Sequence, residues 1–260
     1  MTRADATLWA ALDAELDLWA AGGRPATFWL RDDDAIEPTA ALDRLFDLTA
    51  ATETPLALAV IPAGASAGLA RRLAAAKDAS VLQHGYAHAN HAAAGEKKSE
   101  FAERRPLPEM TGEIVRGRAA LLRLFGEAAL PVLAPPWNRI SPGAVARLGA
   151  CGLTGLSRFT SRKAPEAAPG VVEANTHVDL IDWRGGRTGK PVQTVLQEIA
   201  VTLRDRREGR ADRDEPTGLL THHLVMDAAA WSALEATLAR LGRDSRATWL
   251  GAPAIFGAAA

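Results

Sequence analysis

Cysteine is almost missing from this 260-residue chain, since Cys151 stands alone. No internal disulfide can form, and no thiolate cluster can hold a metal, so any metal site must be built from histidine and carboxylate. Cys151 itself reads as a small buried hydrophobe, with no basic neighbour or helix N-terminus to activate it. A charge excess is missing too: 30 Lys and Arg face 31 Asp and Glu. That balance leaves no electrostatic footprint for nucleic acid or for an anionic membrane surface, and neither partner is expected. No run approaches the roughly 18 to 20 apolar residues that span a bilayer. The Ala- and Leu-rich N-terminus is interrupted by Asp5, Asp13, Glu15 and Asp17 in every window long enough for a signal-peptide core. The expectation is a helix over residues 1–25, with Leu8, Leu12, Leu16 and Trp19 at helical spacing and Gly22-Gly23 as its stop, in a cytoplasmic protein.

What the chain does have is apolar mass, 48% of its residues, enough for a large core. Short apolar runs at 26–30, 56–61, 80–83, 131–134, 152–157, 170–175 and 218–221 read as buried strands. Amphipathic patterns near 39–51, 65–77, 109–125, 141–150, 190–207 and 228–242 read as the helices between them. About seven strand–helix units at this length predict an α/β fold closed like a barrel, a single domain over 26–260 with the N-terminal helix packed on it. Two segments stand outside the alternation. Residues 92–108 form a long loop expected to act as a substrate-facing lid, and the mixed-charge run 204–216 reads as a solvated helix end and loop.

Histidine is scarce, yet three of the six fall in "HGYAHANH" (84–91). His84 and His88 stand four apart, a spacing that aims two imidazoles at one point from a helical turn or tight loop. In α/β barrels, chemistry gathers at the C-terminal ends of the strands. Those ends deliver "RDDD" (31–34), "HGYAH" (84–88), "PPWN" (135–138) and "THH" (221–223). Three adjacent carboxylates after an apolar strand repel one another and resist desolvation unless a cation relieves them. A carboxylate with two imidazoles is a facial ligand set that leaves positions open on a divalent ion.

Taken in order, these motifs resemble the polysaccharide deacetylase family of metal-dependent esterases and amidases. "LRDDDA" (30–35) looks like the family's T-F-D-D-G, His84 and His88 like H-S/T-x-x-H, and "APPW" (134–137) like R-x-P-Y/W. "DLIDW" (179–183) is similar to its Asp-x-Asp-Trp-like segment, and "GLLTHH" (218–223) to its apolar strand ending in His. The resemblance implies a distorted (β/α)7 barrel. It also implies one divalent ion, Zn²⁺ in the first instance, with Co²⁺, Ni²⁺, Mn²⁺ and Fe²⁺ as alternatives. Aligning Ala35 with the family's small residue makes Asp33 the catalytic base and Asp34 a metal ligand beside His84 and His88; the other register uses Asp32 and Asp33. His222 is the implied general acid, with Asp182 orienting it. Trp137, Asn138, Trp183 and His91 are the expected substrate contacts, and Arg31, Asp32 and Asp182 the expected supports.

Three positions depart from the family pattern. Ala134 replaces the Arg that pairs with the catalytic Asp, leaving Arg31 or Arg139 to supply a guanidinium. Gly85 stands where the family has Ser or Thr, and His223 where it usually has Asp. The expected activity is metal-dependent hydrolytic removal of an acetyl group from an N-acetylated sugar or oligosaccharide. Two alternatives remain: a cytoplasmic amidase or imidase on the same fold, and an inactive sugar-binding barrel, for which Ala134 is the best argument. His177 reads as structural.

Overall fold

The computed structural model describes residues 3–257. Residues 1–2 and 258–260 of the expected boundaries lie outside them. The chain runs through α1 (Arg3–Ala21), β1 (Ala26–Ala35), α2 (Ala40–Ala51), β2 (Leu56–Val60), α3 (Ala67–Ala74), β3 (Ala79–His84), α4 (Leu107–Phe125), β4 (Ala129–Ala134), α5 (Pro142–Val145) and β5 (Gly155–Leu156). It continues through β6 (Glu166–Ala168), β7 (Val171–Glu173), β8 (Val178–Asp179), β9 (Ile181–Asp182), β10 (Thr188–Gly189), α6 (Val192–Arg207), β11 (Thr217–Thr221), α7 (Ala228–Leu241), β12 (Ala247–Trp249) and α8 (Ala252–Phe256). All seven expected strands are present, and α5 is shorter than its 141–150 pattern.

Side-chain alternation sorts the core into two shells. In β2, Leu56, Leu58 and Val60 face the surrounding helices while Ala57 and Ala59 face inward. The inner face of the sheet is mostly small, with Ala57, Ala59, Ala134 and Ala174 beside Leu82 and Val132. Trp29 fills one end of this interior and meets Phe256 of α8 edge-on at 6.0 Å. The expected N-terminal helix, α1, buries Leu12, Leu16 and Trp19, and Trp19 donates its indole N–H to Leu203 O of α6 at 3.2 Å. Among the described residues no helix is long and apolar enough to cross a membrane.

The strands pair in the order β7-β5-β4-β3-β2-β1-β11-β8, every pairing parallel. Closure depends on one extended segment. Its first part, β7, pairs with β5, and its last part, β8, pairs with β11. Between them Thr176 N–H bonds to Arg158 O on one side, and His177 N–H to Gly218 O on the other. One stretch of chain thus seals a ring of seven strand positions, although no single ladder runs unbroken through it.

The seal is held by polar groups that sequence reading assigned to solvent. Glu215, fully buried, accepts from the backbone N–H of Arg162 and Asn175 at 2.9 and 2.8 Å and faces His177 Nε2 at 3.3 Å. His177 Nδ1 accepts from Gly218 N–H, so this histidine ties the closing segment to β11. Arg206, expected on a solvated helix end, is buried instead. It donates to Thr27 O, Thr27 Oγ1, Thr217 Oγ1 and Arg213 O, with its guanidinium over Trp19. Burial pushes its pKa down to about 10. The correction has a physical reason: a charge run supplies latches as readily as solvated faces when its guanidinium finds carbonyls that need donors.

Removing the Glu215 carboxylate strands two buried amides. Glu215→Ala is expected to lower unfolding free energy by about 2–4 kcal/mol. Urea denaturation measures it, and a change below ~0.5 kcal/mol would show that the latch is dispensable.

Candidate metal centre and active site

Strand β1 sets the geometry. Alternation places Trp29, Arg31 and Asp33 on the inner face, whereas Asp32 points away from the cavity and accepts from Thr221 Oγ1 and His223 N–H. Pairing with β2 then slips: Asp32 lies opposite Leu58 and Ala35 opposite Val60, which leaves one extra residue in β1. This is a β-bulge, and within it Asp34 takes a left-handed φ of 75°. The bulge lets two consecutive carboxylates, Asp33 and Asp34, line the same cavity.

Asp34 Oδ1 lies 3.1 Å from His84 Nε2 and 3.3 Å from His88 Nε2. His84 ends β3, and His88 follows in a tight loop rather than a helix, with its own φ at 55°. Burial works against a charged Asp34, but the hydrogen bond from His84 and the nearby imidazoles outweigh it and hold the carboxyl well below its usual range. Burial, with His84 beside it, pushes His88 down, while the carboxylates of Asp33 and Asp34 draw the fully buried His84 up against its own burial. One oxygen and two imidazole nitrogens, all within 4.8 Å of one another, are a fitting donor set for a borderline divalent ion.

The loop carrying His88 rests on a residue that sequence reading missed. Glu100, inside the segment expected to be a lid, is fully buried and accepts from the N–H groups of Tyr86, Ala87 and Ala89 at 3.0, 2.8 and 3.4 Å. Gly85 is required here, because its φ is 60° and a Cβ would collide with Glu100 Oε2. That is why the Ser or Thr of the family pattern has no room. Gln83 adds a second brace, its amide donating to Gly85 O and Ile114 O.

Arg31 takes the place left by Ala134. Its Nε lies 2.9 Å from Asp33 Oδ1 and its Nη2 donates to Asp33 Oδ2 at 3.0 Å. The same guanidinium donates to Ser157 Oγ at 2.7 Å and Asn138 Oδ1 at 2.6 Å. Arg139, the other candidate, is exposed and donates to Lys98 O instead. Asn138 and Trp137 both carry left-handed φ angles. With Asp34, His88 and Arg187, five of the eight non-glycine residues of this conformation among the described residues surround one cavity, and strain on that pattern marks a functional site.

His222 stands on the far wall, its ring edge-on to Trp183 at 4.9 Å, and its buried Nδ1 has no protein partner. The nearby carboxylate is Asp179, not Asp182. Asp179 is buried, accepts from Ile181 N–H and Trp183 Nε1, and has its carboxyl pushed up by burial. Asp182 is exposed and caps a turn by accepting from Arg184 and Gly185 N–H, so it does not orient His222. His91 is exposed and outside the cavity lining, because its chain turns away to bond Ser99 O. Asp32 meets His223, whose Nδ1 faces it in a buried pair. The Trp137 ring packs against His88 at a tilt, with centroids 4.4 Å apart.

Together these groups surround a cavity of about 920 Å³ lined by Asp33, Asp34, His84, His88, Trp137 and His222 among others. It has room for a sugar unit and its neighbours.

The sequence matches no protein-family model, and no curated protein matches it. Solved structures do. A Mycobacterium smegmatis protein assigned as a polysaccharide deacetylase superposes with a TM-score of 0.66 at 15% identity over 90% of each chain. A family 4 carbohydrate esterase from Streptomyces lividans, in complex with acetate, gives 0.54 at 18% identity over 84% of this chain and 90% of that one. A Clostridium thermocellum acetyl xylan esterase holding a cobalt ion gives 0.53 at 14% identity over 89% and 90%. The chain has the polysaccharide deacetylase fold, as the motif order implied.

Glu100 supports the ligand loop without touching the ion site. Glu100→Gln is expected to weaken divalent-ion affinity by about 10- to 100-fold, measured by competition with a chromophoric chelator. Unchanged affinity would show that the loop holds its shape unaided.

Proposed function

We propose that this protein is a divergent polysaccharide deacetylase: a metal-dependent hydrolase that removes an acetyl group from an N-acetylated sugar or a similar small substrate. The observation that carries the reading is the convergence of Asp34 Oδ1, His84 Nε2 and His88 Nε2 beside Asp33, with His222 across the same cavity. The fold shared with the Streptomyces lividans esterase and the Clostridium thermocellum enzyme supports it.

Asp34, His84 and His88 would hold a divalent ion, zinc by preference, which would supply a Lewis acid for the acyl carbonyl and lower the pKa of an attacking water. Asp33, held at two points by Arg31, is the base that takes the proton of that water as it attacks. His222 delivers a proton to the departing amine or alkoxide as the tetrahedral intermediate collapses. Asp179, next to Trp183 and close enough to act on His222 by charge, takes the supporting place expected of Asp182. Trp137 and Trp183 flank the site as faces for a sugar ring. The best argument for an inactive barrel, Ala134, weakens once Arg31 supplies the guanidinium from β1.

Metal content and turnover separate the roles. Asp34→Asn is expected to lose the ion, and Asp33→Asn to keep it while losing turnover by about 10²- to 10⁴-fold, checked by elemental analysis beside an acetate-release assay. Loss of metal only on changing Asp33 would contradict the assignment. His222→Ala is expected to keep its ion and to lose amide turnover by a similar factor while an activated aryl acetate suffers far less, since a good leaving group needs no proton. Equal losses on both substrates would remove the acid role.

A further inference from the structure

The floor and the rim of the cavity differ in charge. Asp33 and Asp34 lie deep and are engaged with Arg31 and with the two histidines. Around the mouth stand Lys98, Arg139, Arg184 and Arg187, all exposed and all on the cavity lining. Among the described residues none of the four has a carboxylate within ion-pair distance, whereas Lys190 on the same lining is held by both oxygens of Glu198 at 2.8 Å. Asp182 is the one exposed carboxylate among them, and its Oδ1 is taken up by two backbone amides.

Placement gives these charges a target. Lys98 Nζ sits 6.0 Å from the centroid of Trp137, which packs against the metal-site residue His88. Arg187 sits 5.4 Å over Trp183, which meets His222. Each cation is thus one aromatic ring away from a group that the mechanism uses, on opposite sides of the cavity. The hairpin that presents Arg184 and Arg187 turns through left-handed angles at Gly186 and Arg187, which brings both guanidinium groups to the mouth. A chain with a formal net charge of -1 has no general reason to cluster four unpaired cations there.

We infer that the substrate is an acylated sugar bearing an oxyanion, a phosphoryl or carboxylate group, close to the acetylated centre, and that Lys98, Arg139, Arg184 and Arg187 hold that group. The inference rests on the deacetylase reading for the acyl group but not for the anion. Guanidinium groups suit such oxyanions through their planar array of donors, and a cation-lined mouth also concentrates anionic ligands before binding.

The test uses the zinc-loaded protein and three substrates: N-acetylglucosamine, its 6-phosphate and N-acetylmuramic acid. The expected result is an acidic sugar preferred over the neutral one by about tenfold or more in kcat/KM. That ratio should fall towards one in Arg184→Gln/Arg187→Gln and in Lys98→Gln/Arg139→Gln, and it should shrink at high salt. Preference for the phosphate identifies a phosphoryl group, and preference for muramic acid a carboxylate. Equal or better use of the neutral sugar, or a preference that survives in both double variants, overturns the inference. If no sugar is turned over, the deacetylase reading fails, and the anion site is then judged by calorimetry with inorganic pyrophosphate. Weaker binding in both double variants supports the site, and equal binding removes it.

Discussion

A buried ion pair on one strand organises this site. Arg31 and Asp33 are both nearly inaccessible, and two charges taken so far from water are tolerable only when the remaining donors and acceptors find partners. Arg31 finds them in Ser157 after β5 and in Asn138 after β4. The pair therefore ties three strand ends together. It also explains the left-handed turn at Trp137 and Asn138, since that backbone aims the Asn138 side chain at the guanidinium and sets the Trp137 ring against His88. Two residues apart on one strand is the one local spacing that puts both partners on the same face of a sheet. An arginine that the related motif carries on β4 has thus been replaced by one on β1, and Ala134 is buried in the vacated position.

The second constraint is closure. A ring of seven strands with a narrow, alanine-rich interior leaves little apolar area to seal its last seam, and here polar contacts do the sealing. Glu215, His177, Asn175 and Arg162 bind the closing segment to its neighbours, and Arg206 ties the end of α6 to β1. The seam lies directly beneath β8 and the hairpin that follows it, so the same segment that completes the barrel delivers Asp179 and Trp183 to His222. Stability and the geometry of the candidate site share these residues.

Much of this was legible in the sequence, for identifiable reasons. Alternating apolar runs and amphipathic helices announced the barrel, and chemistry at the strand ends announced where to look. His84 and His88 came from local spacing, which survives folding almost unchanged, and Asp33 and Asp34 from the register that the family resemblance implied. The rest depends on pairing and distance. The bulge that turns Asp34 inward exists only in the register between β1 and β2. Glu100 acts on amides 11 to 14 residues away, from a loop whose composition looks solvated. Asp179 and Asp182 both fit a four-residue window before Trp183, and only the fold decides which is buried. The run 204–216 misled because latches and solvated faces share the same residues.

On the proposed mechanism Arg31 restores to this chain the support that Ala134 withdrew and keeps Asp33 competent as a base beside a metal. The most direct measurement is turnover of an activated aryl acetate by Arg31→Met, purified and zinc-loaded, with metal content and unfolding measured on the same preparation. The expected outcome is a folded protein with wild-type metal content and turnover reduced by about 10²-fold or more, and partial recovery when Ala134→Arg is added. Turnover within twofold of wild type in a folded, metal-loaded Arg31→Met protein would contradict it.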